Sequence, residues 1–231
     1  MAKMNKYFRI ITLSALAALF AASCSKSDDI EDYQGFILDK YESVSSVKQL
    51  VYVECLEGSN ASVSFYKKDS GGNWETILCV PGYIGKNGCA ETIDSKVEGD
   101  GKTPIGDFGV KSSFGIAQNP GTTIPYLQAT DDYYGCDENC QYYNQIISAS
   151  QTGHKCAGEH LIDYTPNYQY AIFLDYNKEC VYGKGSLIFL HCIGPHAYTG
   201  GCVAVDKESM KKILQECDVN ARICIFPKGY K

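Results

Sequence analysis

From about Leu50 onward, apolar and polar positions follow the short period of β-strands. Leu50 to Cys55 is apolar and β-branched, and Ser62-Val63-Ser64-Phe65-Tyr66 alternates. The polar run Asp69-Ser70-Gly71-Gly72-Asn73 then leads into Trp74 to Val80, the spacing of a hairpin. Tyr170 to Tyr176, Leu187 to Leu190 and Ile223 to Phe226 are further strand segments. The period changes to that of a helix near the C-terminus. There Asp206 can cap a segment whose Met210, Ile213, Leu214 and Cys217 fall at i, i+3, i+4 and i+7. Between Asn119 and Gly158 no clear period emerges. That stretch is rich in tyrosine and contains Cys136, Cys140 and Cys156, which reads as an insertion held down covalently. The pattern predicts a mainly β, α+β domain with one well-defined helix.

The first residues follow a different rule. Lys3, Lys6 and Arg9 precede an apolar run of 13 residues from Ile10 to Ala22, too short for the ~20 residues a membrane-spanning helix needs. The run ends Ala21-Ala22-Ser23-Cys24. Small residues directly before a cysteine resemble the lipobox of bacterial lipoproteins, in which the cysteine carries lipid and becomes the new N-terminus. An ordinary signal peptide with a chance cysteine is the plainer alternative. Ser25-Lys26-Ser27-Asp28-Asp29 follows, polar and acidic. The division expected is therefore a signal at 1–23, a lipidated tether at 24–47 and a catalytic domain at 48–231. The absence of Asp directly after Cys24 implies, by the same resemblance, outer-membrane sorting where two membranes exist.

Composition narrows the function. The 231 residues carry a formal net charge of −6; removing residues 1–23 takes out three basic residues and no acid, leaving −9. Such a chain lacks the basic face that nucleic-acid phosphates demand. Twelve cysteines without a Cys-x-x-Cys pair fit an oxidising compartment. Eighteen tyrosines against one tryptophan favour strands over a helical bundle.

Two motifs fail. Gly101-Lys102-Thr103 suggests a phosphate loop, but that motif needs glycine at position 96, where lysine stands, and Pro104 would break the helix that must follow. A metal site could be drawn from His154, Cys156 and His160, or from Cys136 and Cys140. Neither spacing matches a common zinc module, so no metal and no cofactor are expected.

A third constellation has the composition of an active site. Gly185-Ser186-Leu187-Ile188-Phe189-Leu190 leads apolar residues into His191-Cys192, and Thr199-Gly200-Gly201-Cys202 follows as a small-residue turn. Acyl transfer by cysteine needs a base to take the thiol proton and bare backbone N–H groups to hold an oxyanion. His191, Cys202 and the two glycines supply those types. On spacing alone, a strand-end histidine and a disulfide cysteine fit equally well.

The stretch also resembles the catalytic motif of the L,D-transpeptidase family, in which a histidine on one strand precedes a Ser/Thr-x-Gly-Cys turn. Gly85-Lys86-Asn87-Gly88 and Glu98 to Phe108 resemble the loop and strand that open that domain; Tyr143-Asn144, Glu159-His160-Leu161, Tyr170-Ala171-Ile172 and Asp175-Tyr176-Asn177 resemble its middle. The resemblance implies a β-sandwich of mixed sheets with short helices. It implies Cys202 as nucleophile, His191 as general acid and base, Gly201 N–H as oxyanion donor and the Cys192 carbonyl as the group that orients His191. The substrate implied is a peptidoglycan stem peptide, transferred to an amine, with membrane attachment through lipid on Cys24. Many members carry a histidine before the glycine of the Cys turn and a polar residue after it; here stand Gly200 and Val203-Ala204. An L,D-carboxypeptidase that trims tetrapeptides and a non-catalytic envelope-binding lipoprotein are the alternatives.

Cysteine parity gives a last expectation. Without lipidated Cys24 and catalytic Cys202, ten cysteines remain and can form five bridges, with Cys217 and Cys224 flanking one turn. The alternative is a set of reduced cysteines packed as small apolar groups.

Overall fold

A computed structural model describes residues 33–230. The signal at 1–23 and Cys24 lie outside these described residues. The chain runs α1 (Tyr33–Glu42), β1 (Gln49–Cys55), β2 (Asn60–Lys68), β3 (Trp74–Tyr83), β4 (Gly106–Gly115), β5 (Tyr126–Gln128), β6 (Tyr133–Cys136), β7 (Gln145–Ser148), α2 (Ala149–Thr152), β8 (Glu159–His160), β9 (Ala171–Leu174), β10 (Phe189–Cys192), β11 (Val203–Val205), α3 (Lys207–Glu216) and β12 (Arg222–Pro227). The mainly β prediction holds.

Nine strands form one mixed sheet in the order β12-β1-β2-β3-β11-β10-β9-β4-β5, and β12 also pairs with β4. That extra pairing closes the ladder on itself. β1 with β12, β10 with β11, and β4 with β5 run parallel; the other pairs are antiparallel. The β2–β3 hairpin forms where the sequence placed it, its turn fixed by Asp69 Oδ1 accepting from the N–H groups of Gly71 and Asn73.

Alternation decides which side chains meet. Val51, Val53, Val63, Phe65, Ile172, Leu174, Leu190, Val203, Val205, Ile223 and Ile225 share one core with Met210, Ile213, Leu214 and Cys217 of the α3 region. Asp206 caps α3 by accepting from Glu208 N and Ser209 N. The opposite face of β9 and β10 gives a second cluster containing Phe173, Phe189, Tyr168 and Cys202. A separate sheet, β7-β6-β8, accounts for much of the tyrosine-rich insertion, with a disulfide from Cys136 to Cys156.

Two expectations need correcting. The stretch 24–47 is not all tether. α1 buries Ile37 and Tyr41, one helical turn apart, against Leu50, Tyr52, Cys224 and Phe226, so folded structure begins within it. The five-bridge scheme also fails. Cys55, Cys89, Cys140, Cys180, Cys192, Cys202, Cys217 and Cys224 are free thiols. Cys217 and Cys224 are near in sequence, but Cys217 joins the α3 core while Cys224 joins the α1 cluster on the other face of β12.

Candidate active site

His191 is the third residue of β10, so it shares a face with Phe189, while Leu190 and Cys192 point into the main core. The parallel register with β11 pairs Leu190 with Val203 and His191 with Ala204. Cys202 therefore enters beside Phe189, on the face that His191 occupies. Both side chains line one cavity of about 480 Å³, walled also by Lys96, Glu159, Tyr168 and Tyr198. The two residues singled out by spacing are thus brought together.

The turn carrying Cys202 is held from two sides. Thr199 Oγ1 and Thr103 Oγ1 both donate to the Cys202 carbonyl, at 2.7 and 3.1 Å. Thr103 also accepts from Gly85 N–H at 2.8 Å. The residue that made Gly-Lys-Thr look like a phosphate loop is a buried strut beneath the thiol. Gly201 has a φ of 153°, and a Cβ there would lie 2.9 Å from the Lys102 carbonyl oxygen. Only glycine fits. A Cβ on Gly200 would meet nothing within 4 Å, so the need for a bare backbone is confined to one of the two.

His191 Nδ1 donates to the Cys192 carbonyl at 2.7 Å, leaving Nε2 as the basic nitrogen. The Tyr168 ring packs edge-on against the imidazole, 5.4 Å between centroids, and its hydroxyl donates to Glu159 at 2.6 Å. The thiol of Cys202 does not point at His191. It donates to the Leu187 carbonyl at 3.2 Å and accepts from Phe189 N–H at 3.4 Å. The Gly201 N–H, expected to face an oxyanion, donates to Thr199 Oγ1 at 3.1 Å. Thr199 lies two residues upstream, close enough for its hydroxyl to fold back onto that amide. The donor is therefore engaged in the resting site.

Burial sets the charge state. It pushes the His191 pKa down to about 4, against the opposing pull of the Cys192 hydrogen bond. It pushes the Cys202 thiol up to about 12, with the nearby Glu159 carboxylate acting in the same direction and Phe189 N–H and Lys96 opposing. At neutral pH the resting pair is thiol and neutral imidazole, not an ion pair. Glu159 itself is raised to about 7, first by desolvation and then by Asp137 and Glu98.

Several residues of this site have roles that the sequence does not assign, although Asn144, Glu159 and Leu187 stand in the segments singled out above. Leu187 adopts a φ of +53° and Asn144 one of +58°, both without glycine. Asn144 Oδ1 accepts from Leu187 N–H at 2.9 Å, while its Nδ2 donates to the carbonyls of Tyr176 and Asn177. This buried amide fixes the backbone whose carbonyl receives the thiol. Glu159 and Tyr168 arrive from the distant β8 and the turn before β9.

Against known proteins, no family model matches the chain, and no curated sequence matches it. Among solved structures, the chain is similar to a cysteine-to-serine mutant of an L,D-transpeptidase from Enterococcus faecium, at 11% identity and a TM-score of 0.36. The match covers 78% of this chain and 50% of that one. The chain spans about half the length of that transpeptidase, and the likeness is too loose to position any side chain.

Proposed function

We propose that the chain is a cysteine-dependent L,D-transpeptidase of the bacterial envelope that acts on peptidoglycan stem peptides. The observation that carries this reading is the convergence of Cys202 and His191 on one cavity, with His191 Nδ1 bonded to a backbone carbonyl and Nε2 left as base. In the proposed reaction the acyl donor displaces the thiol from the Leu187 carbonyl toward His191. Nε2 takes the proton as sulfur attacks, then delivers it to the leaving amine. The oxyanion is met by the Gly201 and Cys202 N–H groups, the first released from Thr199. An amine of a second stem resolves the thioester to an amide. Because thiol and imidazole start neutral, proton transfer and attack proceed together, without a standing thiolate.

Incubation with a carbapenem followed by intact mass measurement tests this. The expected result is a single adduct on Cys202, absent from Cys202→Ala. His191→Ala should acylate at least 100-fold more slowly, since base and nucleophile act as a unit. A normal rate in His191→Ala would remove the base assignment. With a tetrapeptide as substrate, cross-linked dimer supports transfer, and tripeptide alone would make the protein a carboxypeptidase.

The same proposal places lipid on Cys24, with the domain anchored at the envelope membrane. Cys24→Ala should move the protein from the membrane pellet to the aqueous fraction. Continued pelleting would show a different anchor.

A further inference from the structure

Outside the cavity, at the end of β6 and in the loops that join the β7-β6-β8 sheet, five potential ligand groups gather. Cys136, Glu138, Cys140, His154 and Cys156 each bring one donor atom to within 4.8 Å of all the others. None of the five lines the catalytic cavity. We propose that Cys136, Cys140, His154 and Cys156 form a structural zinc site, occupied when the four side chains meet the metal before the two buried cysteines oxidise.

Geometry and chemistry both support this ligand set. A tetrahedral zinc with sulfur at ~2.3 Å and nitrogen at ~2.0 Å has edges of about 3.8 Å between sulfurs and about 3.5 Å between sulfur and nitrogen. Cys136 Sγ and Cys140 Sγ stand 3.5 Å apart. His154 Nε2 stands 3.8 Å from Cys140 Sγ and 3.3 Å from Cys156 Sγ. Three edges are therefore in place. The Cys136–Cys156 edge opens to a non-bonded distance in the zinc form, in which those sulfurs have not been joined. Three cysteines and one histidine are a common structural zinc set. Tyr142 N–H already points at Cys140 Sγ at 3.4 Å, the backbone donor a metal-bound thiolate attracts.

The remaining neighbours are accounted for. Glu138 Oε1 accepts from Ala157 N–H at 2.9 Å and Oε2 lies 3.4 Å from His154 Nε2, so it braces the loop from outside the ligand set. His160 is excluded. Its Nδ1 faces Asp163 at 2.9 Å, its Nε2 faces the Asp131 carbonyl at 3.0 Å, and its ring stacks on Tyr134.

Loading is balanced without an oxidant or reductant. The newly made chain carries thiols, and one Zn²⁺ displaces three thiol protons to give three sulfur–zinc bonds and one imidazole–zinc bond. The disulfide in the structure is the competing oxidised state of two of those sulfurs. The metal would serve a sheet whose own apolar cluster is small. It would also stiffen one cavity wall, because Asp137 follows Cys136 and Glu159 pairs with Gly135.

The test uses the chain reduced with a phosphine, freed of reductant without oxygen and titrated with Co²⁺ and then Zn²⁺. Expected are one equivalent bound, the absorption of tetrahedral cobalt with thiolate charge transfer, and displacement by Zn²⁺. Cys140→Ser and His154→Ala should each weaken binding at least 100-fold, while His160→Ala and Cys55→Ser leave it unchanged. Zinc should also raise the midpoint of thermal unfolding of the wild-type chain. Absence of the thiolate–cobalt spectrum in the wild type would overturn the site, and so would undiminished binding in His154→Ala. The spectrum requires no variant to fold, so it stands when a variant fails.

Discussion

At rest Cys202 keeps its proton while His191 stays uncharged, and both states follow from burial in the same cavity wall. A thiol held at about 12 is a poor nucleophile in the absence of substrate. Site-resolved alkylation by iodoacetamide should therefore be slow at pH 7 and keep rising beyond pH 9, where an ordinary cysteine has levelled off. Glu159 contributes to that restraint, since its charge disfavours a thiolate nearby. Glu159→Gln should speed alkylation of Cys202 a few-fold near pH 8, the effect being modest because burial is the larger cause. A Cys202 that levels off at the pH of a free thiol would show that burial does not hold its proton, and one already level below pH 7 would show a thiolate paired with the His191 imidazolium.

Among the elements, the turn from Thr199 to Cys202 is held by hydrogen bonds to the Cys202 carbonyl and by the crowding at Gly201. Gly201→Ala puts a side chain at a φ of 153° and against the Lys102 carbonyl, at a cost of about 1–3 kcal/mol. Thermal unfolding should show that loss together with loss of acylation, while Gly200→Ala should keep both. The same scale shows what could be read from the chain. The β1–β3 meander and α3 were legible because each has a long, regular apolar period and a recognisable turn or cap. α1 is not legible because Phe36, Ile37 and Leu38 stand side by side and blur the helical period, with only Ile37 and Tyr41 buried. β6, β7 and β8 are four residues or fewer, too short for a period to show. His191 and Cys202 were legible because the strand and the glycine turn lie in one local segment. Asn144, Glu159 and Tyr168 reach the site only through tertiary pairing. The positive φ of Leu187 is imposed by Asn144, with no glycine to announce it.

For the molecule as a whole, two groups in one cavity give opposite dependences of stability on pH. His191 has a folded pKa of about 4 against 6.5 when unfolded. The unfolded chain therefore binds its proton first, and stability present above pH 6.5 is lost as pH falls toward 4. Between pH 7 and pH 5 that amounts to about 2 kcal/mol. Glu159 is raised to about 7 from 4.5, so the unfolded chain ionises first. Its contribution is fully present below pH 4.5 and is lost as pH rises toward 7, by a similar amount. The two slopes oppose each other across the same window. Urea unfolding of the wild type should thus change little between pH 5 and pH 7 on account of this pair. Glu159→Gln removes one arm and should leave a protein that weakens on acidification, with a lower urea midpoint at pH 5 than at pH 7. His191→Gln should do the reverse and be stronger at pH 5. If both variants kept the wild-type profile, neither group would be titrating as its burial requires, and the neutral resting pair on which the proposed chemistry starts would have to be given up.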